Sequence, residues 1–159
     1  MIRVKDAEKS LKFYQEVMGM SLFRTSGNPN ADFTLYFLGY PGEKGVPQDG
    51  KTSDREGLLE LTWNHGTEKD ESFQYHSGNQ EPKGFGHICK TTGKHSSLGM
   101  AANGGLLGVS VDNLDAACQR FEEHNVKWQK RPSDGRMRGV AFVLDPDGYW
   151  IEIIAKDMM

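Results

Sequence analysis

Trp150-Ile151-Glu152-Ile153-Ile154 sets an ionisable side chain inside an apolar run. Leu58-Leu59-Glu60-Leu61-Thr62-Trp63 does the same a domain-half earlier. Both runs have the composition and length of half-buried strands. An ionised carboxylate inside a sheet is costly unless something neutralises it. Two such carboxylates point to one shared neutraliser, and a metal ion would serve both.

The segments that lead to each glutamate follow the same order. After Asp6, the residues Ala7, Leu11, Tyr14 and Met18 fall at helical spacing, with Asp6 as N-cap and Gly19 as C-cap. Strands are expected at Met20–Thr25 and Phe33–Leu38, joined through Gly27-Asn28-Pro29-Asn30. Residues 40–57 are rich in Gly, Pro and charge and read as a loop, before the strand over 58–64. In the second half Asn113 caps a helix with the stripe Leu114, Ala117, Cys118 and Phe121. Strands over 126–130, 139–144 and 149–155 follow, the last two joined by the turn Asp145-Pro146-Asp147-Gly148. The pattern β-α-β-β-β therefore occurs twice, with Glu60 and Glu152 at equivalent places in the last strands. We expect an α+β fold of two βαβββ modules, 1–80 and 81–159, the first strand of the first module being largely missing.

Residues 90–108 break the pattern. They hold five glycines and little periodicity. Joining Cys89 to Val109 gives His87-Ile88-Cys89-Val109-Ser110-Val111, which alternates cleanly. The segment is expected to be a flexible insertion inside one strand, at a place where insertions are unusual. In the joined strand His87 lies five positions before Val111, and Val111 matches Val4. The repeat thus expects a counterpart of His87 two residues ahead of Met1, outside the given sequence.

Composition narrows the rest. A net charge of −3 gives no general attraction to nucleic acid. No apolar run is long enough to span a membrane, and Met1-Ile2-Arg3-Val4 opens like a strand rather than a signal peptide. Cys89 and Cys118 form no CxxC pair and read as reduced thiols of a cytoplasmic protein. Glu60, His87 and Glu152 are the candidate metal ligands, a donor set that suits Zn²⁺, with Ni²⁺ or Co²⁺ as alternatives. A strand glutamate is more often a solvent-facing residue. Glu152 resists that reading because its face also carries Trp150 and Ile154. His65, His76, His95 and His124 have no partners at ligand spacing.

Several stretches are similar to the glyoxalase I (lactoylglutathione lyase) family of the vicinal-oxygen-chelate superfamily. They are Met1-Ile2-Arg3-Val4-Lys5-Asp6, Leu35-Tyr36-Phe37-Leu38, Leu59-Glu60-Leu61-Thr62, Gly84-Phe85-Gly86-His87-Ile88 and Asp145-Pro146-Asp147-Gly148-Tyr149-Trp150-Ile151-Glu152. Leu61-Thr62-Trp63-Asn64 and Ile88-Cys89 look most like fungal versions, which often carry two such domains in tandem. The resemblance implies a metal-dependent isomerisation of the glutathione–methylglyoxal hemithioacetal to S-lactoylglutathione. It assigns the principal base to Glu152, the second carboxylate to Glu60 and the imidazole ligand to His87. Arg3 and Asn64 match positions that hold the γ-glutamyl part of glutathione. Lys130 matches a lysine near the glycyl carboxylate, Met137 lies in a loop that closes on the ligand, and Lys83 stands where many members have Arg. Without the resemblance, Lys130, Arg131, Arg136 and Arg138 would read as an ordinary solvated basic loop. The implied partner is a second copy of the chain or a second glyoxalase domain. The alternative is a catalytically impaired or non-catalytic member that binds metal or glutathione conjugates. A plain oligomeric binding protein is weaker, since it need not keep the glutamate pair.

Overall fold

The computed structural model describes residues 1–27, 30–41, 52, 57–84 and 106–156, together with the backbone of 87–90. Most of the loop expected over 40–57, the centre of the turn 27–30 and residues 91–105 of the expected insertion lie outside the described residues. The chain divides into two compact units, Met1–Tyr75 and His76–Met159.

In the first unit, β1 (Ile2–Val4) leads into α1 (Ala7–Lys12). The Asp6 carboxylate accepts the Lys9 amide at 3.2 Å, which satisfies one of the orphan donors at the helix start. A wide turn over Phe13–Val17 extends the helix, closed by the Met18 amide on the Phe13 carbonyl. Gly19, at φ +72°, then reverses the chain in a conformation that favours glycine. Ala7, Ser10, Phe13, Tyr14, Val17 and Met18 are buried, and Leu11 is only half-buried. The buried stripe therefore keeps Ala7, Tyr14 and Met18 of the expected set and takes Ser10 and Phe13 in preference to Leu11. β2 (Ser21–Gly27), β3 (Phe33–Gly39) and β4 (Leu59–Asn64) form an antiparallel meander, and β1 joins it in parallel beside β4. Ile2, Val4, Leu38 and Leu61 supply the sheet's share of the core.

The second unit repeats the plan. β6 (Leu106–Val111), α2 (Leu114–Glu123), β7 (Trp128–Lys130), β8 (Val140–Leu144) and β9 (Trp150–Ala155) follow in that order. Asn113 caps α2, its side-chain oxygen accepting the Ala116 amide at 2.9 Å. Phe121 is buried and Leu114, Ala117 and Cys118 are half-buried, as the stripe requires. The order β6-β9-β8-β7 copies β1-β4-β3-β2, with β6 parallel to β9. Even the irregularities correspond: β2 slips register between Leu22 and Arg24, and β7 between Trp128 and Lys130. Ala141, Val143, Ile151 and Ile153 form the sheet side of this core. Each fully buried Val, Leu or Ile contributes about 1.5–3 kcal/mol by leaving water.

One element departs from expectation. His87–Lys90 is a strand, β5, but it does not run on into Val109. It lies beside β6, parallel to it, at the outer edge of the sheet. Leu106-Leu107-Gly108, which the sequence assigned to the insertion, forms the first half of β6. The reason is local. These three residues are covalently continuous with Val109 and make an equally good apolar half-strand, so they pair with β9 without a loop to close.

Candidate active site

Glu60 and Glu152 sit one in each unit, at the same place in β4 and β9, and both are half-buried. Their flanking residues in the sheet also correspond. Glu60 pairs with Phe37, which pairs with Arg24. Glu152 pairs with Phe142, which pairs with Lys130. Each glutamate thus stands in a row of one aromatic and one cation. The sequence pattern alone did not single out Arg24, because the pairing that makes it the counterpart of Lys130 is a property of the sheet. Arg24 is exposed. The Trp150 ring meets the Phe142 ring edge-on at 6.0 Å, packing one flank of the Glu152 row.

The turn before β9 is built to aim it. The buried Asp145 carboxylate accepts the amides of Asp147 at 3.0 Å and Tyr149 at 2.9 Å. Gly148, at φ +83°, donates its amide to the Asp145 carbonyl at 3.1 Å. Asp145 and Asp147 are 4% and 7% exposed, so this acidic stretch serves as a turn and not as a surface cation site.

Each carboxylate, taken in its own unit, offers the hard oxygen donors that a divalent cation accepts. The third expected donor does not fit so simply. His87 was expected in one strand with Val109–Val111, and Leu106 stands in that strand instead, paired with Trp150. The backbone of His87 pairs with Leu106, one strand further out, and its side chain lies outside the described residues.

Arg3 and Asn64 come together. The Arg3 guanidinium donates to the Asn64 side-chain oxygen at 3.1 Å, and the Asn64 amide donates to the Tyr75 hydroxyl at 2.8 Å. Tyr75 is a member of this group that the sequence did not reveal. Its ring meets Phe73 edge-on at 4.8 Å.

Lys130 is half-buried, and its ammonium donates to the carbonyls of Arg131, Met137 and Val140 at 3.1, 2.8 and 2.8 Å. A lysine ammonium has three N–H donors, so all three hold the 131–140 loop. Met137 is 58% exposed at the tip of that loop, and Lys83 is exposed on the segment before β5. Arg131 pairs with Glu122 and lies over the Trp128 ring at 4.7 Å. The Arg131 hydrogen bond holds the Glu122 carboxyl below its ordinary range. Arg136 and Arg138 are exposed. His65 shares a hydrogen bond with Thr34 at 2.9 Å and tilts against Trp63, and His76 accepts the Gly78 amide at 3.1 Å. Burial, aided by the charges of Asp115 and Glu122, pushes the Cys118 thiol up, which makes it a poor nucleophile at neutral pH. Among the described residues no helix is long and apolar enough to cross a membrane.

Known proteins resemble this chain in sequence and fold. The family model of the Glyoxalase/Bleomycin resistance protein/Dioxygenase superfamily matches residues 1–153. The lactoylglutathione lyase of Pseudomonas putida is 46% identical over 159 residues, covering 97% of this chain and 81% of the relative. Glyoxalase I of Saccharomyces cerevisiae is 43% identical over 162 residues; the match covers 100% of this chain but 43% of that longer protein. Among solved structures, the trypanothione-dependent glyoxalase I of Leishmania major aligns with a TM-score of 0.64 at 28% identity, covering 100% of this chain and 86% of that one.

Proposed function

Because the chain belongs to the glyoxalase/bleomycin resistance protein/dioxygenase superfamily, we propose that it isomerises the glutathione–methylglyoxal hemithioacetal to S-lactoylglutathione. The reading rests on the paired glutamates. Half-buried carboxylates recur at the same point of a repeated sheet, in a chain close to lactoylglutathione lyases in sequence. Glu152 takes the proton from the carbon that bears sulfur. The electron pair left behind passes toward the neighbouring carbonyl. The same carboxyl then returns the proton to that neighbouring carbon, the hydroxyl proton passes from the oxygen of the sulfur-bearing carbon to the neighbouring oxygen, and the thioester carbonyl results. A divalent ion, proposed as Zn²⁺, supplies when bound the positive charge that stabilises the developing negative charge on the substrate oxygens. Glu60 and Glu152 are each proposed as a carboxylate donor to such an ion.

The remaining residues divide the peptide between them. Arg3, held by Asn64, takes the γ-glutamyl carboxylate, and Tyr75 fixes the Asn64 amide. Lys130 orders the 131–140 loop beneath the glycyl end, and Met137 at the loop tip covers the ligand. Lys83 offers a point charge and lacks the bidentate fork of an arginine. A second copy of this chain is the simplest partner, which sedimentation velocity would detect. Reduced glutathione as substrate and the unpaired Cys118 thiol favour the cytoplasm.

The test is formation of the thioester from glutathione and methylglyoxal by the purified chain, with and without added Zn²⁺. Glu152→Gln is expected to lower kcat by roughly 10²–10⁴ while the protein still folds. No thioester from the metal-loaded chain would sink the proposal. The displacement of His87 to β5 favours a second reading, a catalytically impaired member that still binds glutathione conjugates. Conjugate binding without turnover would select it.

A further inference from the structure

The segment that opens the second unit closes on itself just after Lys83. The Gly84 amide donates to the Gly78 carbonyl at 2.9 Å. Gly78 is buried and lies at φ +84°, a conformation that favours glycine. The His76 imidazole sets the start of this closed loop, its Nδ1 accepting the Gly78 amide at 3.1 Å. A nitrogen that accepts carries no proton, so the ring holds its proton on Nε2. The closure is tight. A Cβ at Gly84 would stand 2.9 Å from the Gly78 Cα, closer than real Cβ atoms approach backbone. Gly84 lies outside the left-handed region. The approach of Gly78, and not the backbone conformation, therefore requires glycine there.

Two observations distinguish this loop from one kept for stability alone. Asn79 belongs to it, and among the described residues neither polar atom of its side-chain amide, both buried, has a hydrogen-bond partner. Burying an amide in that way costs the fold stability. The closure also falls on the residues that bracket Lys83. Pro82 precedes it with a fixed φ, and Gly84 follows it, tied to Gly78. The Lys83 backbone is thus held on both sides while the residue itself is exposed. An arginine would bring a rigid fork to an anion, whereas a lysine brings a point charge on a flexible stem. Where that charge can reach depends on where its backbone is held.

We infer that the loop closed between Gly78 and Gly84, and set by the His76 imidazole, positions the Lys83 ammonium for a carboxylate of the glutathione conjugate. His76 and Gly84 are then positioning residues that act on ligand affinity through Lys83. The inference rests on the glutathione-binding reading of Lys83 proposed above. It gives His76 a task that involves neither a metal nor a proton transfer: its ring nitrogen orients one backbone amide.

Calorimetric titration of the full chain with S-methylglutathione tests this and does not depend on turnover. Lys83→Ala is expected to weaken binding about twofold to fivefold, the range of an exposed ion pair. His76→Ala and Gly84→Ala should each weaken it by about twofold or more in the unaltered chain, and by nothing further in a Lys83→Ala background. A merely structural defect would cost the same in both backgrounds. His76→Asn should restore the affinity lost in His76→Ala, because an Asn side-chain oxygen also accepts the amide two residues on. If Gly84→Ala fails to fold, the two His76 variants decide alone. Equal losses with and without Lys83 overturn the inference, and so does full affinity in His76→Ala and in a folded Gly84→Ala. If Lys83→Ala binds as tightly as the unaltered chain, the ligand reading of Lys83 is wrong and the inference falls with it. No binding of the conjugate by the unaltered chain would instead remove the proposed function as a whole.

Discussion

Lys130 shows how a residue expected to touch substrate can first hold the protein. Its ammonium is already committed to three carbonyls of the 131–140 loop. Lys130→Met is therefore expected to speed amide exchange across 131–139 and to cost about 1–3 kcal/mol in urea denaturation. An unchanged exchange pattern would return the residue to a purely substrate-binding role. The Arg3–Asn64–Tyr75 chain makes a kinetic prediction. Tyr75→Phe removes the acceptor of the Asn64 amide, so KM should rise roughly threefold to tenfold with kcat nearly unchanged, the signature of lost uniform binding. Asp6 carries a stability prediction with a sign. Partial burial acts to raise its pKa, but the amide and ammonium of Lys9 outweigh that and hold it below 3.8. A carboxyl depressed on folding contributes fully above its unfolded pKa. Its contribution is thus complete near neutrality and is lost as pH falls below about 4 toward the folded value. Asp6→Ala should cost about 1 kcal/mol at pH 7 and progressively less at pH 3 and below.

At the scale of elements, what could be read in advance was whatever is encoded locally. Asp6 and Asn113 announce helix starts because capping needs only a side-chain oxygen and an amide three residues on. Asp145-Pro146-Asp147-Gly148 announces the hairpin for a similar reason. Asp145→Ala would leave the buried amides of Asp147 and Tyr149 without an acceptor, at a cost of roughly 2–4 kcal/mol. It should also lower kcat by misaiming β9, and thermal melts beside steady-state kinetics would separate the two effects. The position of His87 could not be read in this way. Val109 has two candidate N-terminal extensions, Ile88-Cys89 and Leu107-Gly108, and alternation scores them alike. Pairing with β9 chooses between them, and that pairing is a contact between residues about forty positions apart. Tyr75 and Arg24 were hidden for the same reason. One meets Asn64 through a loop, and the other joins the Glu60 row only once β2 has slipped past Leu22.

For the whole molecule, charge and topology have consequences of their own. The chain carries a net charge of −3, so an anionic glutathione adduct is drawn by local cations and not by the overall field. KM should therefore rise only modestly between 0.01 and 0.15 M salt, where the Debye length shrinks from about 30 to about 8 Å. A conjugate at a hundred times its Kd should raise stability by about 2.7 kcal/mol if it binds only the folded chain, which a shift in Tm would report. The parallel seam of the first sheet has a different consequence. β1 is three residues long, and its Ile2 finds Leu61 about sixty residues downstream. Such a contact is entropically late, because the intervening chain must be organised before the seam can close. Val4, fully buried in that seam, should accordingly have a folding φ-value near zero. Val4→Ala would hasten unfolding and leave the refolding limb of the chevron almost untouched. The N-terminal strand would then be the last piece of the first unit to lock and the first to let go.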